Sequence, residues 1–175
     1  MDFSDFLKFL SCRSSVREYE EMPLEDSEIE YIISCASMAP SAGNLEAWDV
    51  VVVTDADTQL ALADASFGQP HVEKSPALFV VCANYVRSMS QYGERGILYA
   101  VEDATIACTY MMLAAHARGL HSCWTGAFDE DEVREVLGLP PHIRPIAILA
   151  AGHGHPQSRL AERMDIGEHV HRDEW

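Results

Sequence analysis

The sequence predicts one domain of layered helices and strands, of the α/β or α+β class. Three observations carry this reading. The chain has 175 residues, an ordinary single-domain length. It is 48% hydrophobic and 23% charged, enough apolar surface for a packed core. Its apolar periodicities follow the order α-α-β-α-β-α-β-α-β and then a tail, with no repeat, low-complexity tract or linker, so residues 1–175 read as a single domain.

Each element rests on its own pattern. Phe3, Phe6, Leu7 and Leu10 fall at helical spacing over residues 2–11. A polar connection, CRSSVREYEEMP, follows. The run EDSEIEYIISCASMA predicts a second helix, capped by Asp26 or Ser27, with Ile29, Ile32, Ile33 and Ala36 toward the core and Pro40 as its stop. Asp49–Thr54 is rich in Val and predicts a strand, and residues 57–67 predict a helix. QPHVEKSP reads as a loop punctuated by Pro70 and Pro76. Ala77–Asn84 predicts a buried strand. Residues 95–118 predict the longest helix, ending at Arg118-Gly119. Its Ala100, Ala104, Ala107, Met111, Ala114 and Ala115 suit either a central position or packing against another subunit. LHSCWTG reads as a short strand, and Asp129 with Glu132 caps a helix that runs to Leu137 and closes at Gly138 and Pro140. Ile146–Ala151 is the last predicted strand, before a Gly-, His- and charge-rich tail that ends at Trp175.

Charge narrows the partners. Twelve Lys+Arg against 28 Asp+Glu give a net charge of −16. Such a chain repels phosphate backbones and anionic lipid surfaces, so neither nucleic acid nor membrane is an expected partner. Lys8 and Lys74 are the only lysines, so an anionic ligand must rest on a few placed arginines, backbone N–H groups or helix ends. No apolar run approaches the ~20 residues of a membrane span, and the first residues lack the basic start of a secretory signal. The five cysteines form no CxxC pair and are expected to be reduced intracellular thiols, which points to the cytoplasm.

Four segments could carry chemistry. Arg13-Ser14-Ser15-Val16-Arg17 sets two guanidiniums four residues apart beside two hydroxyls. A helical turn there would bring both to one side as an anion cradle, while Glu18, Glu20 and Glu21 nearby equally suit solvated ion pairs. Pro40-Ser41-Ala42-Gly43-Asn44, followed by Trp48, is a turn able to offer amides and hydroxyls to a heterocycle. Trp124-Thr125-Gly126 lets backbone approach a flat ligand, or simply continues a strand. In the tail, His153, His155, His169 and His171 form two His-x-His pairs beside Arg159 and Arg163. They lack the Cys pair or HExxH spacing of a metal site, so no metal is expected. No catalytic nucleophile or carboxylate stands out by spacing.

Taken together, these segments resemble the nitroreductase family of FMN-dependent oxidoreductases in its short, single-domain form, from about Phe6 to Trp175. Arg13–Arg17 is similar to the family's Arg-Arg-Ser-x-Arg motif, Ala39–Asn44 with Trp48 to its Ala-Pro-Ser-x-x-Asn-x-Gln-Pro-Trp motif, and Trp124-Thr125-Gly126 to its Trp-Ile-Gly segment. Glu102–Leu120 resembles its central helix, and Arg163 with Val170, His171 and Trp175 its closing pattern. Ser14 stands where the family motif has its second Arg, and Glu46-Ala47 stands for Gln-Pro.

The resemblance implies an α+β fold with a central, mostly antiparallel sheet flanked by helices. It also implies a homodimer with FMN at the interface and a C-terminal tail reaching the partner. Arg13, Ser14, Ser15 and Arg17 would hold the FMN phosphate, ribityl chain and N1/O2 edge, with Arg163 returning to the phosphate. Pro40, Ser41, Ala42 and Asn44 would contact the isoalloxazine, and Trp124, Thr125 and Gly126 would run near N5. The implied activity is ping-pong hydride transfer from NAD(P)H to a small acceptor such as a nitroaromatic or quinone. A flavin-binding module without turnover, or a specialised flavoenzyme such as a reductive dehalogenase, is the alternative. Since the flavin would carry the chemistry, the absence of a conspicuous side-chain nucleophile fits.

Overall fold

Four strands, Trp48–Val53 (β1), Ala77–Asn84 (β2), His121–Thr125 (β3) and Ile143–Gly152 (β4), form one sheet in the order β1-β2-β4-β3. The computed structural model describes residues 3–156 and 162–175 of the chain. All three strand pairings are antiparallel, with Val81 of β2 opposite Ala147 and Trp124 of β3 opposite Leu149. The class is therefore α+β, as the resemblance implies.

Alternation along the two central strands builds two cores. Phe79, Val81 and Ala83 of β2 and Ala147, Leu149 and Ala151 of β4 face the helices Asp26–Ala36 (α2) and Gly96–Ala117 (α6). Leu78, Val80, Cys82, Ile148 and Ala150 face the opposite way, toward Ala56–Ala65 (α3), Pro70–Glu73 (α4) and Glu130–Leu137 (α7). Both faces of β2 are buried because helices cover both, and this is why it reads as a continuous apolar run.

Several boundaries differ from the sequence reading for local reasons. Helix α2 starts after Glu25, whose side chain accepts from the Glu28 amide while Glu28 returns to the Glu25 N–H at 2.9 Å. This reciprocal box takes the role assigned to Asp26 or Ser27. QPHVEKSP is not all loop: Pro70 opens the short helix α4, where a missing N–H costs nothing. A helix at Tyr85–Tyr92 (α5) precedes α6, capped by Asn84 accepting from the Arg87 amide, and Gly93 (φ 57°) breaks the two apart. Strand β4 begins three residues earlier than Ile146, and a turn over Ile166–Glu168 interrupts the tail. Asp129 caps α7 and Gly138 closes it in the left-handed region, as the pattern predicts.

Helix Phe3–Cys12 (α1) does not join the core with its apolar face. Phe6, Leu7 and Leu10 are exposed, while the Phe9 ring lies tilted against His116 with centroids 4.7 Å apart, and its carbonyl lies 3.0 Å from the His116 Nε2. The stretch Tyr85–Ala117 has the length and hydropathy of a membrane span, against the sequence expectation. In this fold its α6 part buries Ala104, Ala107, Cys108 and Met111 against the sheet, the behaviour of a central core helix.

Candidate functional site

Val16, at the middle of the arginine segment, is buried, and that fixes the segment's backbone. It is extended, not helical. Ser15 forms a parallel bridge with Ser122 of β3, and the Val16 amide donates to the Ser122 carbonyl at 3.0 Å. The helical turn considered for Arg13–Arg17 is thus replaced by an added edge beside β3. The cradle geometry survives by a different route. In an extended chain residues 13, 15 and 17 project to one side and 14 and 16 to the other. Burial agrees: Val16 is 1% exposed, Ser15 is half-buried and Arg17 is exposed. Tyr19 pins the segment from below, its hydroxyl donating to the Val16 carbonyl at 2.8 Å with the Ala150 carbonyl at 3.2 Å.

The residues at the end of β3 lie beside this edge. Trp124 packs with the α6-side core, and the Thr125 side chain turns to the other face. There its hydroxyl meets the buried His71 Nε2 at 2.7 Å. The Cys123 thiol is raised by burial, while Arg17 and Arg13 both pull it down, so both guanidiniums stand within electrostatic reach of this strand. Among the described residues neither arginine has a carboxylate partner, whereas Arg87 pairs with Asp49 at 3.0 Å and Arg144 with Glu130 at 2.6 Å.

The second predicted segment is elsewhere. Ser41 leads into a tight turn over Ala42–Asn44, with positive φ at Gly43, Asn44 and Glu46. A Cβ on Gly43 would sit 2.4 Å from the end of the Tyr92 side chain, and the φ of 58° there itself favours glycine. The turn is clamped by Asp103 of α6. Its Oδ1 accepts from the Ala42 amide at 2.9 Å and its Oδ2 from the Ala47 amide at 3.1 Å. Arg87 holds the next stretch, donating to the Glu46 carbonyl and, at 3.0 Å, to the Trp48 carbonyl. Asp103 and Arg87 carry no spacing signal in the sequence.

This turn feeds β1, at one edge of the sheet, and the arginine segment lines β3 at the other. Three strand spacings, roughly 14 Å, separate β1 from β3, before the added edge is counted. Within one chain the structure brings Arg13, Ser14, Ser15 and Arg17 to Trp124, Thr125 and Gly126, and leaves Pro40, Ser41, Ala42 and Asn44 apart from them.

The tail contributes less than its sequence promised. Arg163 is exposed and has no ion pair or hydrogen bond among the described residues, and Arg159 lies outside them. His153 stands 3.6 Å from Glu28 and His155 3.6 Å from Glu20, while His171 stacks on Trp175. No group of three His, Cys, Asp or Glu suited to a metal occurs among the described residues. All five cysteines are free, and burial pushes the Cys82 thiol up to about 12, which makes it unreactive.

His71 gives the site a pH-dependent stability. Burial first, and Arg17 second, lower its pKa below the ordinary histidine value. The folded state therefore favours neutral His71, and the unfolded chain takes the proton first as pH falls below about 6.5. The stabilisation is fully present above that pH and is lost below it. Urea melts between pH ~7.5 and ~5 should show a steeper loss for the wild type than for His71→Gln. Equal slopes would contradict a neutral, buried His71.

In this α+β domain two arginines and a strand that runs into Gly126 stand along one edge of the sheet. The comparisons with known proteins make the class specific. The nitroreductase family profile matches residues 10–82 and 65–153, and the chain belongs to this family. It is similar to a Thermus thermophilus NADH dehydrogenase, 32% identical over 85% of this chain and 88% of that protein. It is also similar to a Bacillus subtilis FMN reductase [NAD(P)H], 26% identical over 91% of this chain and 69% of that protein. The solved structure of NfrA1 from B. megaterium superposes with a TM-score of 0.91 at 26% identity, over 98% of this chain and 75% of that one.

Proposed function

We propose that the chain is an FMN-dependent NAD(P)H oxidoreductase whose cofactor site is completed by a second copy of the chain. One observation carries this reading. In a chain of net charge −16, Arg13 and Arg17 stand without carboxylate partners among the described residues, on an extended edge beside Trp124–Gly126. Unpaired guanidiniums against an acidic background suit a phosphate and an electron-rich ring edge, so the residues fit FMN. FMN, when bound, supplies the hydride chemistry between NAD(P)H and the acceptor.

The side chains bind and orient. Arg13 and Ser15 are the phosphate and ribityl donors, and Arg17, nearest Trp124 along the segment, holds negative charge at the N1/O2 edge. Ser14 does not reach that edge; with Arg13 it lines a cavity at the start of the segment. Thr125 is locked by His71, so its backbone and that of Gly126 present a fixed wall. The Pro40–Asn44 turn, rigid through Asp103, is offered by the partner copy, with Arg163 returning to the phosphate. Exposed apolar residues support the homodimer: Ile97 and Leu98 of α6, Phe6 and Leu7 of α1, and Met164, Ile166 and Val170 of the tail await cover. The free thiols accord with a reducing compartment, the cytoplasm.

The finer reading is a ping-pong exchange in which NAD(P)H and a small acceptor, a quinone or nitroaromatic, use one open site in turn. Anaerobic NADH and NADPH oxidation, with FMN and a quinone supplied, tests it. Parallel initial-rate lines with quinone-dependent turnover are expected. Tight FMN binding without turnover would overturn the enzymatic reading and leave a flavin-binding module.

A further inference from the structure

A cavity of about 130 Å³ opens at the start of the arginine segment, lined by Arg13, Ser14, His116, His121 and Ser122 among others. Two of its groups are orphans. The Ser14 Oγ and the His121 Nδ1 are buried and have no hydrogen-bond partner among the described residues. Buried polar atoms are rarely left so, and two of them beside a free guanidinium ask for an acceptor with several oxygens.

We propose that His121 and Ser14 are the missing half of a phosphomonoester pocket. His121 supplies, as a proton-dependent cation, the charge absent at position 14. The inference rests on the flavin reading above and assigns the pocket to the FMN phosphate. The Ser14 hydroxyl donates one hydrogen bond and the His121 Nδ1–H another, the latter carrying charge only when the ring is protonated.

The surroundings of His121 set the switch. His116 of α6, with its Nε2 turned to the Phe9 carbonyl, faces it, as do His153 and His155 beyond β4 and Glu20 after the arginine segment. His153 is turned to Glu28 and His155 to Glu20. Arg13 and Cys12 line the same cavity. Burial first, then His116, His155 and His153, lower the His121 pKa without ligand, and Glu20 opposes them weakly. Without phosphate the ring is therefore neutral near pH 7. A phosphate dianion beside it favours the cation, so FMN binding takes up a proton from solvent, and acid tightens the grip of His121 on the phosphate.

The test compares wild type with His121→Gln, each freed of flavin and titrated with FMN and with riboflavin by flavin fluorescence. Comparing the two proteins at each pH cancels the phosphate's own titration. At pH ~5.5 the variant should bind FMN about tenfold more weakly than wild type, the lower range of a charge-assisted hydrogen bond, and at pH ~8 the two should agree within about twofold. Riboflavin, which lacks the phosphate, should bind both proteins alike at both pH values, which also shows that the variant is folded. Equal FMN affinity at acid pH overturns the proposal, and so does a loss that riboflavin shares. An unchanged FMN affinity with a shifted NADPH-to-NADH KM ratio would assign the pocket to the dinucleotide's 2′-phosphate and overturn it as well. If wild type binds neither flavin, the flavin reading itself fails, and this one with it.

Discussion

Arg17→Ala is expected to weaken FMN binding by about 1.5–3 kcal/mol, roughly 10- to 150-fold in Kd, with no matching loss of stability. The reasoning is a contrast of environments. Arg17 is exposed and has no carboxylate or carbonyl partner among the described residues, so removing it leaves nothing buried and unpaired. A surface change of that kind stays within about 0.5 kcal/mol in folding. Its proposed role is to hold ligand charge on a segment anchored by the Ser15–Ser122 bridge and the Tyr19 hydroxyl. Arg17→Lys should recover part of the affinity, because charge is kept while the bidentate fork is lost. Fluorescence titration with FMN, beside thermal melts, reads both quantities. Unchanged affinity would remove Arg17 from the site.

Asp103→Ala has the opposite signature. Asp103 is 2% exposed, and its two oxygens receive the Ala42 and Ala47 amides. Truncation removes two hydrogen bonds to a charged acceptor and orphans the amide of Ala47, which is fully buried. The expected cost is about 3 kcal/mol, a fall in Tm of roughly 6–12 °C. Flavin affinity should fall as well, since in the proposed dimer the turn that Asp103 clamps is the part offered to the partner copy. Thermal melts with and without FMN check this. A variant as stable as wild type would show that water replaces the clamp and that the turn does not depend on it.

The two cases also show what the sequence makes legible. The arginine segment is visible because its residue types are rare in this chain: ten arginines and two lysines in an acidic background stand out wherever two of them cluster. Its conformation is not visible. Pairing with β3 is a contact over some 107 positions, and no local periodicity reports it, so a helical turn is as good a local reading as an extended edge. Asp103 and His71 are missed for a related reason. One acid among 28, or one histidine among eight, is singled out only when the fold buries it against a backbone amide or a hydroxyl. Helix α5 is hidden because YVRSMSQY holds few strong helix formers, and its best local signal is the Asn84 cap. Strand β2 and the Asp129 cap are read correctly because their determinants, a two-sided apolar run and a side chain bonded to the next amides, lie within the segment itself.

The proposed composite site is the feature no single segment reveals. Its two halves lie at opposite edges of the sheet, and the resemblance alone joins them through a second copy. Flavin stoichiometry and particle mass, measured together on the purified protein titrated with FMN, test that arrangement most directly. The account predicts one FMN per chain in a particle of two chains. A monomer that holds flavin with full affinity, or a dimer that retains none, would contradict it.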